Sequence, residues 1–405
     1  MLRVSLSRYI VYAIAIVVAL STFSGVFRLP TYYYIGATTF FFVISVITKS
    51  KDLNLGSRSI MTFVLICVLS ILVNQPASYF RVWERLALFV NTLLAFSPLI
   101  ACKGLQLNRI YLFDILVKIM MLFAVASFVG YFFGINFFVR NGDVLAYNEA
   151  GHFSGFANHS MVLAPISAMG GIYALTKALA RAREKNKLVW WSVALLCFGA
   201  VLLSASRGSL GGIVLAIVVT IYRFNLGKTG KFLRYAVIGV AIVAVSFPLW
   251  GGLTQYVIEK NESNLSQGGF IYSRETKMAA RIYEIQHNFI SGVGFSVIDE
   301  AVDSVDRTTG TIEPNSSWLG VFSMTGVFGF IVFLLIYVQA FKTAFTKIPD
   351  KNIATLLCGI LAFFLVHMII EGYVLAGGNF LCGTYWLTLG VVYAYSSLNN
   401  KPALK

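Results

Sequence analysis

The chain has 405 residues, 58% of them hydrophobic and 12% charged, at a mean hydropathy of +0.77. One soluble core cannot hide that much apolar surface, which excludes a water-soluble globular enzyme. The formal charge of +15 does not point to a nucleic-acid partner either, because the basic residues alternate from loop to loop as they do in multi-pass membrane proteins.

In chain order, apolar runs long enough to cross a bilayer fall near 9–27, 30–48, 59–74, 86–102, 110–133, 157–178, 188–205, 208–224, 235–250, 316–341, 352–370 and 379–397. The expected fold is an all-α polytopic membrane protein with about twelve transmembrane helices. They form a single integral membrane domain over 1–405, with one large loop, 251–315, between helices nine and ten. Arg3 and Arg8 ahead of the first run resemble the start of a signal peptide. That run is longer than an h-region and lacks a small-x-small cleavage site, so a retained helix is expected. The cysteines, Cys67, Cys102, Cys197, Cys358 and Cys382, lie in or at the ends of apolar runs with no CxxC among them. They read as small core residues with neither a disulfide nor a metal role.

Loops on the side of the termini carry Lys49, Lys51, Arg58, Lys103, Arg109, Arg181, Arg183, Lys185, Lys187, Lys228, Lys231, Arg234, Lys342, Lys347 and Lys351, opposed only by Asp52, Glu184 and Asp350. The positive-inside rule puts both termini in the cytoplasm and the 251–315 loop outside.

The segment Asn74 to Arg85 has aromatics suited to the membrane interface, with Arg81 and Arg85 around Glu84. Headgroup anchoring and local pairing explain it. Asp114 and Lys118, four apart, read as a structural pair on a helix face. The external loop from Gly134 to Asn158 holds Arg140, Asp143, Glu149 and His152, which suit a polar wall for substrate and interfacial solvation equally well.

Arg207 stands between two apolar runs, in Ser204-Ala205-Ser206-Arg207-Gly208-Ser209. Small neighbours let helix backbones approach and leave room for an anion, and an ionisable group at such a depth is expected to be functional. In the large loop, Lys277 to His287 reads as an amphipathic helix, with Met278, Ile282 and Ile285 on one side and Lys277, Arg281 and Glu284 on another. A second arginine there, Arg281, suits a diphosphate, since guanidinium offers a permanent charge and a planar fork matched to phosphate oxygens. Ser291-Gly292-Val293-Gly294 is a glycine turn with no Walker lysine, so nucleotide binding is not supported. Asp299, Glu300, Asp303 and Asp306 read as a solvated acidic run. Glu313-Pro314-Asn315-Ser316-Ser317 delivers polar groups to the mouth of a helix. His367 reads as a bonded core residue, and Glu371 as the better candidate to line a site.

Ser204-Ala205-Ser206-Arg207-Gly208, Ala280-Arg281-Ile282-Tyr283-Glu284, Gly292-Val293-Gly294-Phe295 and Asn315-Ser316-Ser317-Trp318-Leu319, in that order around a large external loop, resemble the bacterial O-antigen ligase and O-antigen polymerase superfamily. The resemblance covers roughly 150–397. It implies a C-type membrane glycosyltransferase in the bacterial inner membrane, with a periplasmic active site, no nucleotide sugar, no cofactor and no required metal. Undecaprenyl-diphosphate-linked oligosaccharide would be donor and acceptor within the lipid bilayer, with a chain-length regulator as a possible protein partner. Arg207 and Arg281 match the arginines expected to hold the donor diphosphate. Tyr283, Asn315, His287, His152 and Arg140 are further substrate-binding candidates. Ligases carry a histidine where this chain has Pro314, which favours a polymerase over a ligase and leaves Glu313 as the chosen catalytic base, with His287 next. The other class of function compatible with about twelve helices is a lipid-linked glycan transporter or flippase.

Overall fold

The computed structural model describes residues 2–48, 53–140, 143–145, 153–180, 186–228, 230, 272–303, 307 and 312–399. The expected ninth span, 235–250, the loop stretch 251–271, His152, Asp306 and the basic residues Arg181, Arg183 and Lys185 lie outside them.

Among the described residues there are twelve α-helices. They are α1 (Leu2–Thr22), α2 (Thr31–Thr48), α3 (Arg58–Asn74), α4 (Val82–Phe96), α5 (Lys103–Tyr131), α6 (Ser160–Ala180), α7 (Lys187–Leu203), α8 (Arg207–Phe224), α9 (Tyr272–His287), α10 (Ser317–Thr346), α11 (Lys351–Ile370) and α12 (Phe380–Asn399). Five of them, α5, α6, α8, α10 and α11, are long and apolar enough to cross a membrane, and several others are shorter apolar helices. Along α10 the side chains of Phe328, Ile331, Leu334, Leu335 and Val338 are exposed. A row of large apolar groups on the outside of a helix belongs against acyl chains, so this is a multi-pass membrane protein.

Two short antiparallel ribbons accompany the helices. Asn54–Leu55 (β1) pairs with Ile100–Ala101 (β2), and Phe138–Arg140 (β3) pairs with Asp143–Leu145 (β4). Between them the chain packs as expected of a membrane bundle: α8 lies along α11, α6 against α5 and α7, and α10 against α3. Close approach of α8 and α11 depends on small residues, since a β-carbon on Gly212 would sit 2.8 Å from the Phe363 ring.

Two features were not legible in the apolar runs. Residues 86–102 and 110–133 were expected as helices with Lys103 and Arg109 in a loop between them. Instead α4 ends at Phe96, and α5 begins at Lys103, with Cys102 Sγ accepting from Leu105 N at 3.4 Å. Arg109 is fully buried inside α5 and donates to the carbonyls of Ala95 (2.9 Å), Ile100 (3.0 Å) and Leu94 (2.9 Å). It caps the C-terminal end of α4, where carbonyls lack helical partners and cations are favoured.

The second is a break in α10 at Gly326, whose φ of 67° and ψ of −173° leave the helical region. The carbonyls this frees are taken by the glycine turn: Val293 N donates to Ser323 O (2.8 Å) and Gly294 N to Met324 O (3.2 Å), while Val327 N donates to Phe289 O (2.9 Å). Ser70 of α3 completes the joint, donating to Met324 O at 3.1 Å and accepting from Phe295 N at 2.8 Å. Irregular backbone inside a membrane bundle persists only where the protein satisfies it. The glycine turn, read from the sequence as unsuited to nucleotide, is a clasp on a broken helix.

Candidate functional site

Four segments meet at one end of the helices: the start of α8, the helix α9, residues 312–317 before α10, and the end of α11 with residues 371–377 after it. Arg207 is the first residue of α8, delivered by a tight turn in which Ala205 holds φ at 51°. The next residue, Gly208, faces Ile370, with its notional β-carbon 3.4 Å from Ile370 Cβ.

Arg274, on the first turn of α9, ties these segments together. It donates to the backbone carbonyl of Ile370, and its Nη2 lies 2.6 Å from Glu371 Oε1. Its own carbonyl accepts from Asn315 Nδ2 at 3.1 Å. Arg207 lies close enough to feel the Arg274 charge. The Glu371 carbonyl accepts from Ser317 N (3.0 Å) and Ser317 Oγ (2.7 Å), which fixes the entry to α10. Asn315 adopts a left-handed φ of 61°, so its amide turns back to α9 while Ser316 caps α10 by accepting from Leu319 N at 3.3 Å.

The expected helix over Lys277–His287 is present but begins earlier, at Tyr272, and its faces are opposite to those of a soluble amphipathic helix. Arg281 and Glu284 are fully buried, while Ile282, Tyr283, Phe289 and Ile290 are exposed. Arg281 Nη2 lies 3.0 Å from Glu284 Oε1 and 3.1 Å from Asp303 Oδ2. Its Nε and Nη1 have no hydrogen-bond partner among the described residues, so charge rather than complete hydrogen bonding holds the node. Burial raises the Glu284 carboxyl above its usual range, with the Arg281 charge opposing, and burial likewise acts against the Arg281 charge. Glu284 Oε1 also accepts from Asp299 N at 2.7 Å. The acidic run, expected to be solvated, thus supplies two anchors of this node; Glu300 pairs with Arg307 at 2.6 Å.

The remaining candidates are dispersed. Glu313 is 73% exposed and paired with Lys277. His287 is exposed and stacks on Tyr283, ring centroids 3.9 Å apart, with Nδ1 2.9 Å from the Tyr283 carbonyl. Arg140 ends β3. His367 is buried as expected, stacked on Phe363 with Nδ1 3.3 Å from Tyr373 Oη. All five cysteines are free and buried.

The fold is that of a multi-pass membrane protein with charged side chains gathered at one end of its helices. Residues 192–334 match the family described as O-antigen ligase, a stretch that contains Arg207, Arg274, Arg281 and Asn315. The match covers about a third of the chain, which over that segment is similar to the O-antigen ligase family. No curated protein matches the chain.

Proposed function

We propose that the protein is a surface-polysaccharide polymerase. It joins undecaprenyl-diphosphate-linked oligosaccharide repeat units on the periplasmic side of the bacterial inner membrane, with both termini cytoplasmic, and releases undecaprenyl diphosphate. The carrying observation is that Arg274 is bound to Ile370 and Glu371 at the end of α11, where Gly208, the residue after Arg207, packs on Ile370, with Asn315 bonded to Arg274 as well. Guanidinium groups at a helix N-terminus match the oxygens of a diphosphate, which would exchange with the Glu371 carboxylate on Arg274. Arg274, rather than the buried Arg281, is thus the second arginine of the clamp. Arg281 holds the wall behind it.

In the reaction a sugar hydroxyl oxygen of one lipid-linked unit attacks C1 of the reducing-end sugar of another. The bond from C1 to the phosphate oxygen breaks, and its electron pair leaves on the diphosphate, where the arginines stabilise it. The hydroxyl proton passes to a carboxylate. Glu371 suits this role better than the exposed Glu313, because it adjoins the clamp and is released when a diphosphate takes over Arg274. Glu371→Gln should slow transfer by about 10²–10⁴ and Glu313→Gln should not.

Replacing Arg207 or Arg274 with alanine should remove long-chain polymer and leave single repeats; normal chain length in both variants would sink the assignment. A second reading, transfer of finished glycan to lipid A-core, is favoured by the family's description as a ligase. Pro314, standing where ligases carry histidine, speaks against it. A deletion strain with one repeat on its lipopolysaccharide lacks a polymerase, and one with bare core and accumulated lipid-linked polymer lacks a ligase.

A further inference from the structure

A cavity of about 270 Å³ lies across one wall from the arginine pair. Arg85 and Leu88 of α4 line it on one side, Pro314, Ser316 and Ser317 on another, and residues 372–377 on a third. Its size is close to the lower limit of small-ligand pockets, about 300 Å³. Arg85 is half-buried, and its Nη1 donates to Ser296 Oγ at 3.2 Å across the cavity edge. Leu88, Val321 and Met324 add apolar surface to the same cavity.

The walls are fixed by close backbone contacts. A β-carbon on Gly377 would lie 2.4 Å from Phe89 N, and one on Gly372 would lie 2.5 Å from Pro314 Cγ, so neither segment has space to shift inward. Ser317 Oγ accepts from Tyr373 N at 3.1 Å and donates to the Glu371 carbonyl at 2.7 Å, locking two walls together. The same Glu371 bonds Arg274 through its carboxylate, and the same 312–317 segment reaches Arg274 through Asn315. A group seated in the cavity is therefore separated from the Arg207 and Arg274 cluster by one shared strip of chain.

We infer that this cavity is a sugar-binding subsite that holds the acceptor glycan, with Arg85 bonding the oxygens of one sugar residue and the Leu88 side receiving its C–H face. The inference rests on the polymerase reading for the word acceptor; the cavity's preference for sugar stands on its lining. Transfer between two lipid-linked glycans needs two binding loci whose contents meet, because holding both reactants in line is most of what such an enzyme contributes. The arginine pair suits the diphosphate of one. The mixed polar and apolar cavity with a single arginine suits a sugar of the other.

The test uses the full chain in lipid nanodiscs and two probes measured separately: the repeat-unit oligosaccharide freed from its lipid, and undecaprenyl diphosphate. Arg85→Gln removes the charged donor and Leu88→Trp fills the cavity beside it. Each should weaken oligosaccharide binding by about tenfold or more while leaving undecaprenyl diphosphate within about twofold, and Arg274→Gln should do the reverse. Unchanged oligosaccharide binding in both cavity variants would overturn the subsite, as would loss of both probes together, which marks a purely structural role. If the wild type binds oligosaccharide through Arg85 but does not bind undecaprenyl diphosphate, the sugar site stands and the polymerase reading falls.

Discussion

The three arginines at this end of the molecule differ in what surrounds the guanidinium, and their variants should fail differently. Arg281 is enclosed with Glu284 and Asp303. Breaking a buried pair by removing one partner costs about 3–5 kcal/mol, so Arg281→Met should lower the thermal midpoint and yield of purified protein. Arg207→Gln and Arg274→Gln should keep the midpoint near wild type and lose polymer instead; a wild-type midpoint for Arg281→Met would contradict the division. Glu284 adds a pH dependence. Its folded pKa is raised by burial above the unfolded value, so its contribution to stability is present at low pH and lost as pH rises through the folded value. The wild type should therefore gain on Glu284→Gln upon acidification, while Asp303 keeps Arg281 paired; equal melting shifts for both proteins would refute this. Arg207 was legible in the sequence because a lone charge among small residues between apolar runs has few structural uses. Arg274 was not, because it sits in a polar loop among several basic residues, and only its bonds to Ile370 and Glu371 distinguish it from Arg281.

Among elements, the described apolar runs appear as helices near their expected places, since length and apolarity are what a bilayer selects. Breaks and ends that depend on distant partners were hidden. Residues 316–341 read as one continuous apolar run, yet Gly326 interrupts α10 because residues 289–295 are present to take its freed groups. A β-carbon at Gly326 would lie 2.0 Å from Ile290 O, and one at Gly292 would lie 2.5 Å from Met324 C. Gly326→Ala should thus lose the clasp, with backbone strain alone costing about 1–3 kcal/mol. Hydrogen exchange over 289–295 and 323–327 should rise in that variant; unchanged protection would show that the joint is not needed. The amphipathic period of α9 was legible, but its orientation was not. Sequence cannot tell whether a charged face meets water or a buried node, and here Arg281 and Glu284 face inward while Ile282 and Tyr283 face out.

At the scale of the whole molecule, the bundle gathers residues distant in sequence at one end: Arg207, Arg274, Asn315 and Glu371 around one cluster, with the Arg85 cavity across a shared wall. The order of motifs carried the resemblance that the match over residues 192–334 repeats, whereas the proposed partition of that end into a diphosphate side and a sugar side depends on how α4, α9, α10 and α11 are joined. In the proposed reaction the lipid diphosphate is itself the leaving group, so no nucleotide would be needed. A transporter built on the same number of helices would move the lipid-linked glycan without changing its length. The decisive measurement is chain length after the purified protein alone is placed in liposomes with lipid-linked repeat units. Longer glycans that disappear with Arg207→Ala and with Arg274→Ala are the predicted result. Translocation of single repeats with no elongation, or elongation that survives both substitutions, would contradict it.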